Sequence, residues 1–193
     1  MSPRAAPMKP DDRRRTILDA VQPLLVEHGR AVSTRQIAEA AGIAEGTIFR
    51  VFESKDALIE AALARVFDPE EFLDAIDAID LDQPLESRLL EATTLLQGRF
   101  VGIFQLMTAL AIPKPPERFQ KHELRRRLAD GGLARVLRPD ADQFRVPVEQ
   151  VVALVRLLTF SGSHPHIVQA DPLAPEAIVD VILHGTLKGG HAC

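Results

Sequence analysis

The chain has 193 residues, 46% of them hydrophobic and 26% charged, which supports a packed core and excludes a wholly disordered or collagen-like chain. Lys and Arg number 23 and Asp and Glu 27, so the formal net charge is −4, a bulk figure that argues against a nucleic-acid partner. The one cysteine, Cys193, excludes an internal disulfide or a multi-cysteine metal site and fits the reducing cytoplasm; Trp and Tyr are absent. No apolar run after the N-terminus could act as a signal-peptide core. The most apolar stretch, Phe100 to Ile112, falls short of the about 20 residues of a membrane span. A soluble, cytoplasmic protein is expected.

Residues 1–10 contain Pro3, Pro7 and Pro10 and read as a flexible arm. Asp11 or Asp12 can then cap a helix whose apolar residues Ile17, Ala20, Val21, Leu24 and Leu25 share a face, with Gly29 as its stop. Pro23 lies inside that helix and predicts a kink. Ser33-Thr34-Arg35-Gln36 is a capping box. It opens a helix from Thr34 to Ala41 that turns Ile37, Ala38 and Ala41 inward and ends at Gly42. A short helix from Ala44 to Val51 follows at once, and a further helix runs from Ser54 to about Phe67. Two short helices joined by a Gly-containing turn of about three residues are the mark of a helix-turn-helix.

Beyond Asp68-Pro69, the residues Phe72, Leu73, Ile76 and Ile79 predict a short amphipathic helix. A long helix is expected from Pro84 to Ile112, ended by Pro113. A basic-faced helix from Glu117 to Ala129 and helices over Pro147–Ser161 and Pro175–Leu187 complete the chain. No segment alternates with period two, so the fold class is all-α. The domain reading is an arm over 1–10, a helix-turn-helix domain over 11–55 with a linking helix over 54–67, and a second helical domain over 68–193.

Charge is unevenly divided. Residues 1–55 hold nine basic and seven acidic side chains, a net +2, whereas residues 66–193 carry a net −5. The positive end coincides with the helix-turn-helix, as phosphate attraction requires, although a basic solvated surface would look the same.

The residues there are more specific than their charge. The run Arg14-x-x-Ile17-Leu18-Asp19-Ala20, Gly29, Ser33-Thr34-x-x-Ile37-Ala38-x-x-Ala41-Gly42-Ile43-Ala44-x-Gly46-Thr47-Ile48-Phe49-x-x-Phe52-x-Ser54-Lys55-x-x-Leu58 resembles the DNA-binding region of the tetracycline-repressor (TetR) family. The resemblance implies an N-terminal three-helix domain that binds a palindromic operator in double-stranded DNA. It also implies a helical domain for ligand binding and homodimerisation, and transcription controlled by a small-molecule inducer, usually as repression. The DNA-facing set it suggests is Thr34, Arg35, Ala44, Glu45, Gly46, Thr47, Phe49, Arg50 and Lys55. Gly46 permits close backbone approach, and Thr47 can bond a phosphate or a base edge. Phe49 stands where the family usually has Tyr and keeps a ring for a thymine methyl without a hydroxyl for phosphate. Ala44 replaces a usual Ser and Val51 a usual Tyr or His, so polar contacts are lost, with Arg35 and Arg50 as charged compensation. Lys55 lies in a first helical turn suited to a phosphate. Glu45 either accepts from a cytosine amino group or simply favours the helix N-terminus, the second reading ranking first. Arg13-Arg14-Arg15 reads equally as a minor-groove arm or a solvated helix start.

The helix from Pro147 is apolar nearly all round, which predicts burial on two sides, one of them against a second subunit. The expected dimer interface is Val148, Val151, Val152, Val155, Leu158, Ile178, Val181 and Ile182. A largely apolar inducer is expected beside Leu96, Arg99, Phe100, Phe104, Met107, Thr108 and His122, with a packed core as the competing reading for the apolar members. His164-Pro165-His166 is a poor metal site without a carboxylate or thiol, and a helix-ending turn ranks ahead. No metal or other cofactor is expected. An architectural or division-linked DNA binder without a small ligand is the alternative function. An enzyme is disfavoured, since the sequence has no nucleophile elbow, phosphate loop, dinucleotide fingerprint or metal-ligand cluster.

Overall fold

The computed structural model describes residues 9–117, 131–169 and 171–189. It is 77% helical, and the described residues form no strand. Ten α-helices are described: α1 (Pro10–His28), α2 (Thr34–Ala41), α3 (Glu45–Val51), α4 (Lys55–Phe67), α5 (Glu70–Asp77), α6 (Leu85–Ala109), α7 (Leu133–Leu137), α8 (Val148–Ser163), α9 (Pro165–Val168) and α10 (Pro175–Thr186). They divide into two compact units. The first comprises Met1–Phe67 with Gln105–Pro115, and the second Asp68–Phe104 with Pro116–Cys193. The sequence reading had assigned residues 105–115 to the second domain. Leu106 and Leu110 instead are buried side chains of a segment belonging to the first unit.

In the first unit, α1 begins with Pro10 in its first turn, where the missing N–H is harmless. The expected Asp cap is not used: Asp11 and Asp12 lie inside the first turn, where their charge suits the helix dipole. Helix α1 continues through Pro23 to His28 and buries Ile17, Leu18, Val21 and Leu25, spaced to share one face. This face packs against α2, α3 and α4. Each such side chain contributes about 1.5–3 kcal/mol when fully buried. Arg65 of α4 pairs with Asp19 of α1 at 2.5 Å.

The second unit is organised around α6. Phe72, Leu73 and Ile76 of α5, Leu89, Ala92 and Leu96 of α6, and the buried residues of α7, α8 and α10 form one apolar cluster. Arg88 of α6 is 2% exposed and meets Asp140, while its Nη1 donates to the Leu81 carbonyl at 3.1 Å. Arg135 closes the end of α5, its Nη2 donating to the carbonyls of Ile76 (2.9 Å), Asp77 (2.7 Å) and Ile79 (3.1 Å). The Ile76 carbonyl also accepts from the Ile79 N–H at 3.2 Å, and the arginine adds donors to the carbonyls at this helix end. Helix α7 was not anticipated: five residues are too few to show a period. His164-Pro165-His166 opens the short helix α9, with the His164 ring accepting from the His166 N–H. The predicted basic-faced helix over 117–129 falls almost wholly outside the described residues.

Candidate nucleic-acid interface

Helix α2 starts at the capping box expected from the sequence. The Gln36 N–H donates to the Ser33 hydroxyl oxygen at 3.2 Å, and the Ser33 N–H donates to the Gln36 carboxamide at 2.9 Å. Helix α2 ends at Gly42, whose φ of 66° is left-handed, and the next N–H, of Ile43, donates back to the Ala38 carbonyl at 3.0 Å. The chain thereby turns sharply enough to start α3 two residues later. Ala44, at the α3 cap, makes no side-chain bond, as its methyl requires.

Helix α3 is held by Ile48, which is fully buried, and by Phe52 just beyond its end. Glu45, Gly46, Phe49 and Arg50 are exposed, and their spacing places them in one outward stripe. Thr47 is half-buried at its edge. Phe49 is 52% exposed, so it is a presented ring and not a core residue. A Cβ on Gly46 would meet nothing within 4 Å, so no internal packing calls for glycine there. What the missing side chain leaves is room for an outside surface to approach.

Two cations of the expected set already have intramolecular roles. Arg35 bonds Glu39 at 3.0 Å through Nε, and the pKa of Arg35 is raised first by that hydrogen bond and then by the Glu39 charge. Lys55 Nζ donates to the Arg30 carbonyl at 2.7 Å, spending one of its three donors on the turn after α1. Arg50 makes no ion pair among the described residues. Thr34, which the resemblance placed with this group, donates from Oγ1 to Glu45 Oε1 at 2.5 Å and so links α2 to α3. Nothing in the local sequence spacing signals that contact, because it joins residues eleven apart across the turn.

The arginine run is divided among different partners. Arg14 lies over the Phe52 ring at 4.5 Å, and Arg15 pairs with Asp12 at 3.2 Å. All three arginines belong to α1, which begins at Pro10, and the expected arm over residues 1–10 falls almost wholly outside the described residues.

Of the expected ligand set, Leu96, Arg99, Phe100 and Phe104 belong to the second unit. Leu96 is buried in the apolar cluster. Arg99 Nη1 donates to the Asp68 carbonyl at 2.7 Å, its guanidinium lies 5.8 Å from the Phe72 ring, and burial lowers its pKa. Phe100 and Phe104 stack at 6.1 Å and both meet Phe160 edge-on, at 5.4 and 5.2 Å. Phe160, on α8, is brought to these rings only by helix packing, which local spacing does not signal. Met107 and Thr108 belong to the first unit, and His122 lies outside the described residues.

The predicted dimer interface needs a larger correction. Val148, Val151, Val152 and Val155 of α8 and Ile178 and Ile182 of α10 are buried within their own unit. They cannot face a partner. Leu158 is half-buried, and of the eight only Val181 is exposed, at 59%. The outer face of α8 instead presents Leu157, 61% exposed, and Phe160. Helical spacing marks Val148, Val151, Val152 and Val155 as one apolar face, but it does not say whether their own unit or a second copy covers it.

Residues 17–62 match the sequence profile of the bacterial regulatory proteins of the tetR family. Over that helix-turn-helix segment the chain resembles the TetR family. The HTH-type transcriptional regulator YvkB of Bacillus subtilis is 49% identical over 59 residues, 30% of this chain and 30% of that protein. The HTH-type transcriptional repressor KstR of Rhodococcus jostii is 47% identical over 58 residues, 30% of this chain and 27% of its own length. The chain thus spans under a third of the curated relatives it matches. In fold the likeness is wider: a putative TetR-family regulator from Vibrio parahaemolyticus matches 92% of this chain and 100% of its own, with a TM-score of 0.56 and 24% identity. Among the described residues, no helix is long and apolar enough to cross a membrane, and no group of three metal-ligating side chains occurs.

Proposed function

We propose that the chain is a cytoplasmic, homodimeric transcriptional regulator, a repressor that leaves a palindromic operator when a small, largely apolar inducer binds its C-terminal domain. The observation that carries the reading is the outward stripe Glu45, Gly46, Phe49 and Arg50, presented by a short helix whose opposite side is fixed by Ile48. A helix with one face anchored and the other bare fits the major groove, and Arg35, Thr47 and Lys55 flank it as backbone contacts. The exposed apolar residues Leu157 and Val181 support a second copy of this chain as the partner, since both stand on the two helices whose inner faces are already filled. A two-fold dimer presents two recognition helices and so favours a palindrome.

The test is selection of genomic fragments by the purified protein at physiological salt. A short inverted repeat, bound at least about a thousandfold more tightly than random DNA, is expected. Binding no fragment better than random DNA would remove the proposal.

A further inference from the structure

The negative charge in the middle of the candidate DNA surface calls for an account. Glu45 stands in the exposed stripe of α3, beside Phe49 one turn on, where a phosphate-binding surface would be expected to carry cations. A carboxylate there repels the backbone of any duplex, whatever its sequence. Its position is nevertheless specified: Thr34 Oγ1, on another helix, donates to Glu45 Oε1 at 2.5 Å. Glu45 has no other hydrogen bond or ion pair among the described residues, so Oε2 is left as an acceptor on the exposed face. Arg35, the nearby cation whose pKa Glu45 helps to raise, has its Nε bond to Glu39. A carboxylate held by one oxygen and offering the other is the arrangement needed to accept from an amino group on a base edge. In the major groove only cytosine and adenine present such a donor. Adenine sets an acceptor, N7, beside it, which would repel a carboxylate, whereas the cytosine amino group is the recognised partner of Glu.

We infer that Glu45, positioned by Thr34, is a specificity residue that reads a cytosine amino group, so that each operator half-site carries a required C·G pair at one position. The inference rests on the DNA-binding function proposed above and deepens it. The same carboxylate also lowers affinity for every other sequence through phosphate repulsion, so it acts on discrimination more than on tightness. Thr34 is a positioning residue: it holds one oxygen and with it the orientation of the other.

The experiment is selection from a randomised double-stranded oligonucleotide library, followed by affinity measurements on single-base variants of the selected site. It uses the full-length protein and the variants Glu45→Gln, Thr34→Val and Thr34→Ser, each checked for native helicity and unfolding midpoint. For the unaltered protein, replacing the C·G pair should weaken binding by about tenfold or more. Glu45→Gln should abolish the cytosine preference or move it to adenine, which a carboxamide can bond through N6 and N7. Thr34→Val should reduce the preference at that one position, and Thr34→Ser, which keeps the hydroxyl, should restore it. A Glu45→Gln protein that selects an unchanged sequence with uniformly higher affinity would overturn the inference while leaving the proposed function in place. An unaltered protein that selects no sequence would overturn both.

Discussion

A Cβ placed on Gly29 would lie 2.5 Å from the carbonyl oxygen of Ala109. Gly29 also holds a φ of 57° with a ψ of −141°, a conformation that side-chain-bearing residues rarely adopt. Two separate demands therefore fall on one residue: the end of α1 must turn, and it must do so against the backbone that ends α6. Gly29→Ala should lower unfolding stability by about 1–3 kcal/mol from backbone strain, with the steric overlap adding to it. Gly42 provides the comparison, since it has a left-handed φ but open space around its Cβ position. Gly42→Ala should cost only about 1 kcal/mol. Urea denaturation of both variants checks the order, and equal losses would show that the approach to Ala109 is unimportant.

Arg88 and Asp140 form a pair of unequal burial, their side chains 2% and 19% exposed. Asp140 retains a bond from Gln143 Nε2 at 2.7 Å if the arginine is removed. Arg88 would keep only the Leu81 carbonyl if the aspartate were removed. Asp140→Ala should therefore destabilise by about 3 kcal/mol or more, and Arg88→Met by clearly less, because methionine fills similar volume without a charge. Thermal and denaturant unfolding of the two variants measure this, and a reversed order would contradict the account.

Leu157 and Val181 point away from the core that Val151 and Ile182 occupy. Leu157→Glu and Val181→Glu should yield folded monomers with unchanged unfolding midpoints at low concentration. Val151→Glu should fail to fold, because an isolated charge would be buried. Sedimentation equilibrium distinguishes these outcomes, and a Leu157→Glu, Val181→Glu double variant that remains a dimer would exclude this face.

Phe49 and Lys55 separate the two kinds of DNA contact. Phe49→Tyr should leave stability unchanged, because the ring is exposed, and should tighten operator binding modestly if the new hydroxyl reaches phosphate. Weaker binding would show that the bare ring packs on a methyl group. Lys55→Ala should weaken binding to all sequences alike and reduce the salt slope by about one. It should also destabilise the fold by about 1 kcal/mol, because the Arg30 carbonyl loses its donor. Salt-dependent binding titrations together with unfolding curves check both parts, and an altered base preference would argue against a phosphate role.

The helix-turn-helix could be read directly. Ser33 and Gln36 lie three apart, Gly42 stops α2, and Ile37, Ala38 and Ile48 repeat as an amphipathic helix must. All of this is local, and local chemistry decided it: caps, a left-handed glycine and hydrophobic period act over a few residues. The second unit was less open to such reading. The spacing of Val148, Val151, Val152 and Val155 groups them on one face, but only the packing of α8 with α10 showed that this face is filled within its own unit.

What the sequence determined by itself was the all-helical class, the boundaries of α2, the turn into α3, and the TetR resemblance carried by spaced residues from Arg14 to Leu58. Only the tertiary structure decided which side chains are already engaged. Thr34 meets Glu45 across a turn, Lys55 meets the Arg30 carbonyl 25 residues away, and Arg88 meets Asp140 52 residues away. Periodicity tells which face of a helix is apolar. It does not tell which distant group a charged side chain will reach, because that depends on how separate helices are brought together.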